Sequence, residues 1–286
     1  MLTVKDKLLV ARALNRLVWL PRTILGMGMR TRCTRRGITW DLDLNEGIDL
    51  SIYLLGAYEL RAHKVYAPLI KPGNVVFDIG ANIGAHTLHF ASLVGNTGKV
   101  HAFEPTDYAA TKLRANLSLN PVLATRVRFE QRFLVAGTED KLPSKVFSRW
   151  PLANGHKDLD PGHLGKPELL SGATQITADE VCDQMKLMAL DFVKLDVDGY
   201  ELSVLRGFRK SLLRFRPVIL VELAPFVYGD RESRDFDHLV DHISSLGYRI
   251  TDPRTGRSFS GTPSGIRRQI VPGGSVNALL FPSSPR

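Results

Sequence analysis

The run VVFDIGANIGAHTLHFA, residues 75–91, packs a strand, a glycine turn and the start of a helix into one stretch. Val75, Val76 and Phe77 form the short apolar run of a strand buried on both faces, and Asp78 closes it with a carboxylate. Gly80 and Gly84 let the backbone turn sharply and approach a ligand, after which His86–Ala91 resumes a helical pattern. Strand, glycine turn and helix together make a nucleotide-binding layout, because the free N–H groups of the new helix face whatever lies over the turn.

Outward from this run, strands and helices alternate. Strands are expected at 99–103, 127–135, 190–195, 218–223, 248–251 and 276–281, with helices near 109–119, 178–185, 202–213 and 235–246 between them. That order predicts a doubly wound α/β fold with a mostly parallel sheet. Upstream, GITWDLDL (37–44) alternates like a half-exposed strand, and 48–67 reads as one helix ended by Pro68. Residues 2–20 read as a helix stopped by Pro21. Segment 138–171 and the Gly/Pro/Ser-rich stretch 252–275 read as loops, and a loop as long as the first is often functional.

The formal charge of +9 is unevenly spread. Residues 1–36 hold nine basic side chains against Asp6 alone, so the other 250 residues, with 29 basic against 28 acidic, are almost neutral. The arm is too charged to span a membrane, and its expected roles are docking on the domain or contact with an anionic membrane surface. Cys33 and Cys182 are too few for a disulfide framework or a zinc site, which fits a reducing, cytoplasmic setting, with peripheral attachment at the inner face of a membrane as the arm's alternative.

In open α/β sheets ligands gather at the carboxyl ends of the strands. Three such ends carry acids: Asp78, Glu104 and Asp196. Glu104, about twenty residues past the glycine turn, sits where a carboxylate accepts ribose hydroxyls. A pyrophosphate turn wants G-x-G-x-x-G, whereas Asn82 takes a position that should be bare and Asp78 would repel phosphate. Acids suit a cationic ligand, and S-adenosylmethionine offers a ribose, an ammonium and a sulfonium without phosphate.

With VVFDIGANIGAHTL, HAFEP, DFVKLDVDGYELSVLRG and VILVEL in view, the chain resembles the FkbM-type S-adenosylmethionine-dependent methyltransferases over roughly residues 37–281. The resemblance implies a Rossmann-like class I methyltransferase with a seven-stranded sheet whose last strand is antiparallel, and it places Asp78, Gly80, Asn82, Gly84 and Glu104 around the cofactor. Asp196 joins that set from its strand end. It also implies methyl transfer to a hydroxyl of a sugar, glycolipid, polysaccharide or polyketide-like metabolite. The expected organisation is a basic helical arm (1–36), a strand and helix cap (37–70) and the cofactor domain (71–286).

Methyl transfer to oxygen needs a base within reach of the acceptor, and Asp198, Glu201 and Glu222 are the candidates. Glu201 could instead stabilise the first turn of its helix. Asp196, Asp198 and Glu222 could also gather Mg2+, although no spacing demands a metal. His156 and His163, in the 138–171 segment, are candidates for acceptor contact, and Lys194 is expected to pair with one of the acids. Competing functions are nucleic-acid binding or methylation through the arm, which the neutral body disfavours, nicotinamide chemistry, which Asn82 disfavours, and a non-catalytic module. Oligomeric state is not legible.

Overall fold

The computed structural model describes residues 3–139, 143, 146–152, 165–228 and 234–283. The chain opens with helix α1 (Val4–Ile24), a hairpin of β1 (Arg30–Arg35) and β2 (Ile38–Asp43), and helices α2 (Gly47–Leu55) and α3 (Leu60–Tyr66). The first half of the main fold is β3 (Val75–Ile79), α4 (Thr87–Leu93), β4 (Lys99–Phe103), α5 (Asp107–Ser118), α6 (Pro121–Ala124) and β5 (Val127–Glu130). Short strands follow: β6 (Arg132–Leu134), β7 (Val146–Arg149), β8 (Lys166–Glu168) and β9 (Thr174–Ile176). The second half is α7 (Ala178–Gln184), β10 (Phe192–Leu195), α8 (Glu201–Arg206), α9 (Arg209–Phe215), β11 (Val218–Leu223), α10 (Asp235–Ser245), β12 (Tyr248–Thr251), α11 (Pro263–Gln269) and β13 (Val276–Pro282).

Seven strands form the central sheet in the order β12-β13-β11-β10-β3-β4-β5. β13, the last in sequence, runs antiparallel to both β11 and β12, while the pairs from β11 through β5 are parallel. The apolar run of β3 lies at the centre of this sheet, between β10 and β4, where both its faces are covered by packed side chains. The expected doubly wound, seven-stranded architecture is therefore present.

Several expected elements differ. Pro21 lies inside α1, which continues to Ile24; near the C-terminal end a proline removes one backbone donor, and Leu25 still donates to the Pro21 carbonyl at 3.0 Å. The arm is not helical throughout, because Arg30–Arg35 pairs antiparallel with β2, and Leu8 of α1 shares a core cluster with Trp40 and Leu42. The helix expected over 48–67 is two helices, since Gly56 ends α2 in the left-handed conformation (φ 80°). The helix expected over 202–213 likewise breaks after Arg206, and the strand expected over 127–135 divides into β5 and β6. Within the segment expected to be irregular, β7 and β8 form an antiparallel hairpin, held to the start of α2 by Arg149 donating to Glu46 at 2.5 Å. His156 and His163 lie outside the described residues.

Candidate active site

A cavity of about 530 Å³ opens over the carboxyl ends of β3, β4, β10 and β11, within the range of small-molecule sites. Its floor is the turn after β3. Gly80 and Ala81 both donate to the Phe103 carbonyl at 3.0 Å, which draws the turn against the end of β4. Gly80 has φ 82°, and a Cβ there would lie 1.8 Å from the Asp196 carbonyl oxygen. Only glycine meets both constraints.

Glu104 follows β4 and is 4% exposed. One of its oxygens accepts from the Asn82 N–H at 2.9 Å, and the other from the Thr106 N–H at 2.9 Å and the Thr106 hydroxyl at 2.5 Å. Burial raises its pKa against these hydrogen bonds. The oxygen that accepts from Asn82 has taken one hydrogen bond to the other's two and keeps a further lone pair, so the carboxylate is oriented yet still able to accept from a ligand.

A second acidic group gathers at the ends of β10 and β11. Asp196, Asp198 and Glu222 bring carboxylate oxygens within 4.8 Å of one another. Burial, then Asp196 and Glu201, raise Asp198 well above the ordinary carboxylate range; burial, then Asp196 and Glu59, do the same to Glu222. Lys194, 3% exposed, donates to Asp196 at 2.8 Å. Burial works against its ammonium, but the carboxylates of Asp196 and Asp78 outweigh it and hold the pKa above the usual lysine range.

The break between α2 and α3 adds a third wall. Glu59 adopts a left-handed backbone (φ 51°), as do Asn82 (φ 49°) and Asp198 (φ 48°), and all three line the cavity. Non-glycine residues rarely take this conformation without surrounding structure to enforce it. Glu59 accepts from Asn277 at 3.2 Å and lies 3.6 Å from His86 Nε2. Burial, then the Lys194 cation, keep His86 neutral by lowering its pKa well below the usual value. Tyr58, Trp150, Phe133, Tyr200 and Phe226 supply an aromatic lining.

Gly80, Asn82, Glu104, Asp196, Asp198 and Glu222 thus share one cavity. Three other expected residues do not line it. Asp78 is 0% exposed and lies beneath the turn, accepting from the Thr87 hydroxyl at 2.6 Å and standing opposite Lys194 in the β3–β10 register. Gly84 packs against Leu113 of α5. Glu201 turns into the loop behind it: it accepts from the N–H groups of Val197 at 3.2 Å and Gly199 at 3.1 Å and from the Tyr228 hydroxyl. It thereby braces the backbone that carries Asp198. His86 directly follows the glycine turn, a position that points to the site, whereas for Glu59 the nearest local signal is Gly56, whose helix-ending character frees residues 57–59 to bend inward.

The family description Methyltransferase FkbM domain matches residues 78–250, from the turn beneath this cavity through α10 to β12. The chain belongs to the FkbM methyltransferase family. Among its FkbM-type relatives, 31-O-demethyl-FK506 methyltransferase FkbM of Streptomyces tacrolimicus is 36% identical over 165 residues, covering 48% of this chain and 60% of that protein. Hexuronic acid methyltransferase AglP of Haloferax volcanii is 28% identical over 149 residues, covering 51% and 55% respectively. 2-O-methyltransferase NoeI of Sinorhizobium fredii is 26% identical over 167 residues, covering 55% and 67%. The chain thus aligns with little more than half the length of the first two.

Proposed function

We propose that this chain transfers the methyl group of S-adenosylmethionine to a hydroxyl of a sugar, a glycolipid or a polyketide-like metabolite. The observation that carries the reading is the coincidence of the FkbM match with a cavity in which a glycine turn, an oriented Glu104 and the acids of β10 and β11 meet. In this reading residues 71–286 are the cofactor domain, residues 37–70 cover its strand ends, and residues 1–36 form the arm. When bound, S-adenosylmethionine supplies an electrophilic methyl on a sulfonium. Glu104 suits the ribose hydroxyls, the turn at Gly80 and Asn82 admits the close approach of a ligand, and Asp196 and Asp198 offer charge to the cationic end. No pyrophosphate is favoured beside so many carboxylates.

Asp198 and Glu222 are the proposed proton acceptors, because their raised pKa makes each a stronger base once ionised. Glu201 and Lys194 act through them, one by fixing the loop and the other by balancing charge. The aromatic lining suits the face of a sugar ring, in keeping with a carbohydrate acceptor, and two of the relatives carry uronic acid or 2-O-methyl transfer in their names. Titration calorimetry with S-adenosylmethionine tests the cofactor assignment. Glu104→Ala should weaken binding about 10- to 100-fold, as expected on losing hydrogen bonds to a charged group. Indifference of the wild type to S-adenosylmethionine, with binding of NAD instead, would overturn it.

A further inference from the structure

Helix α1 docks through one stripe and shows solvent the wrong kind of opposite face. Leu8, Ala11, Asn15, Val18 and Arg22 recur at helical spacing on its inner side; Asn15 donates to the Leu44 carbonyl at 2.7 Å and Arg22 to the Gly28 carbonyl at 2.7 Å. The far side carries Leu9, Leu17, Leu20 and Ile24, which are 63, 72, 56 and 76% exposed. An ordinary surface helix places polar residues there, and a contiguous exposed apolar stripe marks an interaction site. Leu25 and Met27 extend the stripe past the helix end. Exposed Lys5 and Arg16 flank it on the helix, and β1 turns Arg30 and Arg32 to solvent. The lone acid of the arm, Asp6, is engaged with Thr3 in the helix cap.

We propose that this face of α1 docks on an anionic lipid bilayer, lying in the plane of the headgroups with its apolar stripe buried and its cations on lipid phosphates. Charge decides between occupants. A second copy would set one cationic arm against another, and a nucleic acid would engage the cations while leaving Leu17 and Ile24 in water. No helix among the described residues is long and apolar enough to cross a membrane, so contact through this helix is interfacial. Leu8 and Ala11, on the inner side of the same helix, also line the cavity, so docking sets the cavity behind the membrane-facing helix, one helix diameter (~10 Å) from the bilayer surface, near where a lipid-linked hydroxyl acceptor is presented. That orientation rests on the methyl-transfer reading; the docking does not.

The test is co-sedimentation of the full chain with phosphatidylcholine vesicles, with and without phosphatidylglycerol, at low and high salt. Wild type should sediment with the anionic vesicles, less so at high salt, and little with phosphatidylcholine alone. Leu17→Glu/Leu20→Glu should lower the partition by more than about tenfold, and Lys5→Glu/Arg16→Glu should remove the preference for anionic lipid. Circular dichroism and S-adenosylmethionine affinity, read alongside, separate lost docking from lost folding and from failure of the cofactor reading. Failure of the wild type to sediment with anionic vesicles overturns the proposal, whether the stripe then proves to hold a second copy or RNA. Sedimentation unaltered by both pairs of substitutions overturns it equally.

Discussion

Lys194 and Asp78 stand opposite each other in the register of β10 and β3, both almost fully buried, and the Lys194 ammonium donates onward to Asp196 at 2.8 Å. One cation therefore joins the carboxylate beneath the glycine turn to those around the cavity.

Replacing that cation should be costly. Lys194→Met leaves Asp78 and Asp196 without their compensating charge, and removing one partner of a buried ion pair typically costs about 3–5 kcal/mol. Urea denaturation should show this loss, and S-adenosylmethionine affinity should fall with it. An unchanged midpoint would mean that the lysine is dispensable to the charge balance.

Gly80→Ala should fail for two reasons that add. The left-handed backbone costs a side chain roughly 1–2 kcal/mol, and the new methyl overlaps the Asp196 carbonyl, so the end of β10 must move. The expected outcome is a lower melting temperature together with loss of S-adenosylmethionine binding. Gly26, whose added Cβ meets nothing within 4 Å despite φ 67°, is the control for backbone strain alone.

If Asp198 and Glu222 accept the proton, Asp198→Asn and Glu222→Gln should each lower kcat by about 10²- to 10⁴-fold, more than they alter the affinity for S-adenosylmethionine. Their raised pKa values fix the sign of the pH dependence: the ionised base is required, so kcat/KM should climb with pH above the ordinary carboxylate range. A flat acidic limb would remove both residues from that role.

Charge balance by Lys194 also predicts that methyl transfer survives EDTA, although Asp196, Asp198 and Glu222 are spaced closely enough to hold a cation. Loss of activity in EDTA, restored by Mg2+, would reassign the trio as a metal site.

Acid should destabilise the fold through its buried histidines. Burial, with the Arg128 and Lys99 cations, depresses His101 to about 4, and burial, with Arg36, depresses His89 to about 4. In the unfolded chain each takes up a proton below about 6.5, so the stability they confer is complete above that pH and is lost as pH falls toward 4. The linkage is on the order of 3 kcal/mol per histidine at most. His101→Gln should flatten the fall in stability between these pH values, whatever its constant effect on packing. A slope equal to that of the wild type would show that His101 is already charged in the folded protein.

The sequence by itself determined the fold and half of the site. A buried central strand must be apolar, a turn at positive φ wants glycine, and an acid some twenty residues later must fall at the end of the neighbouring strand; these are local rules, so Gly80 and Glu104 were legible before any contact was known, while Asn82 entered through the family resemblance. Only the tertiary structure decided which acids face the cavity. Glu201 and Glu222 carry the same chemistry and both sit beside strand ends, but the 197–199 loop curls around Glu201 while the alternation along β11 leaves Glu222 facing the cavity. Asp78 looks like a ligand contact in sequence and is sealed below the turn by the register that sets it opposite Lys194. Glu59 enters the site from a distant segment, and the apolar stripe of α1 becomes conspicuous only once the inner stripe has chosen its neighbours. Periodicity gives a helix its faces, whereas packing against the rest of the chain decides which of them meets water.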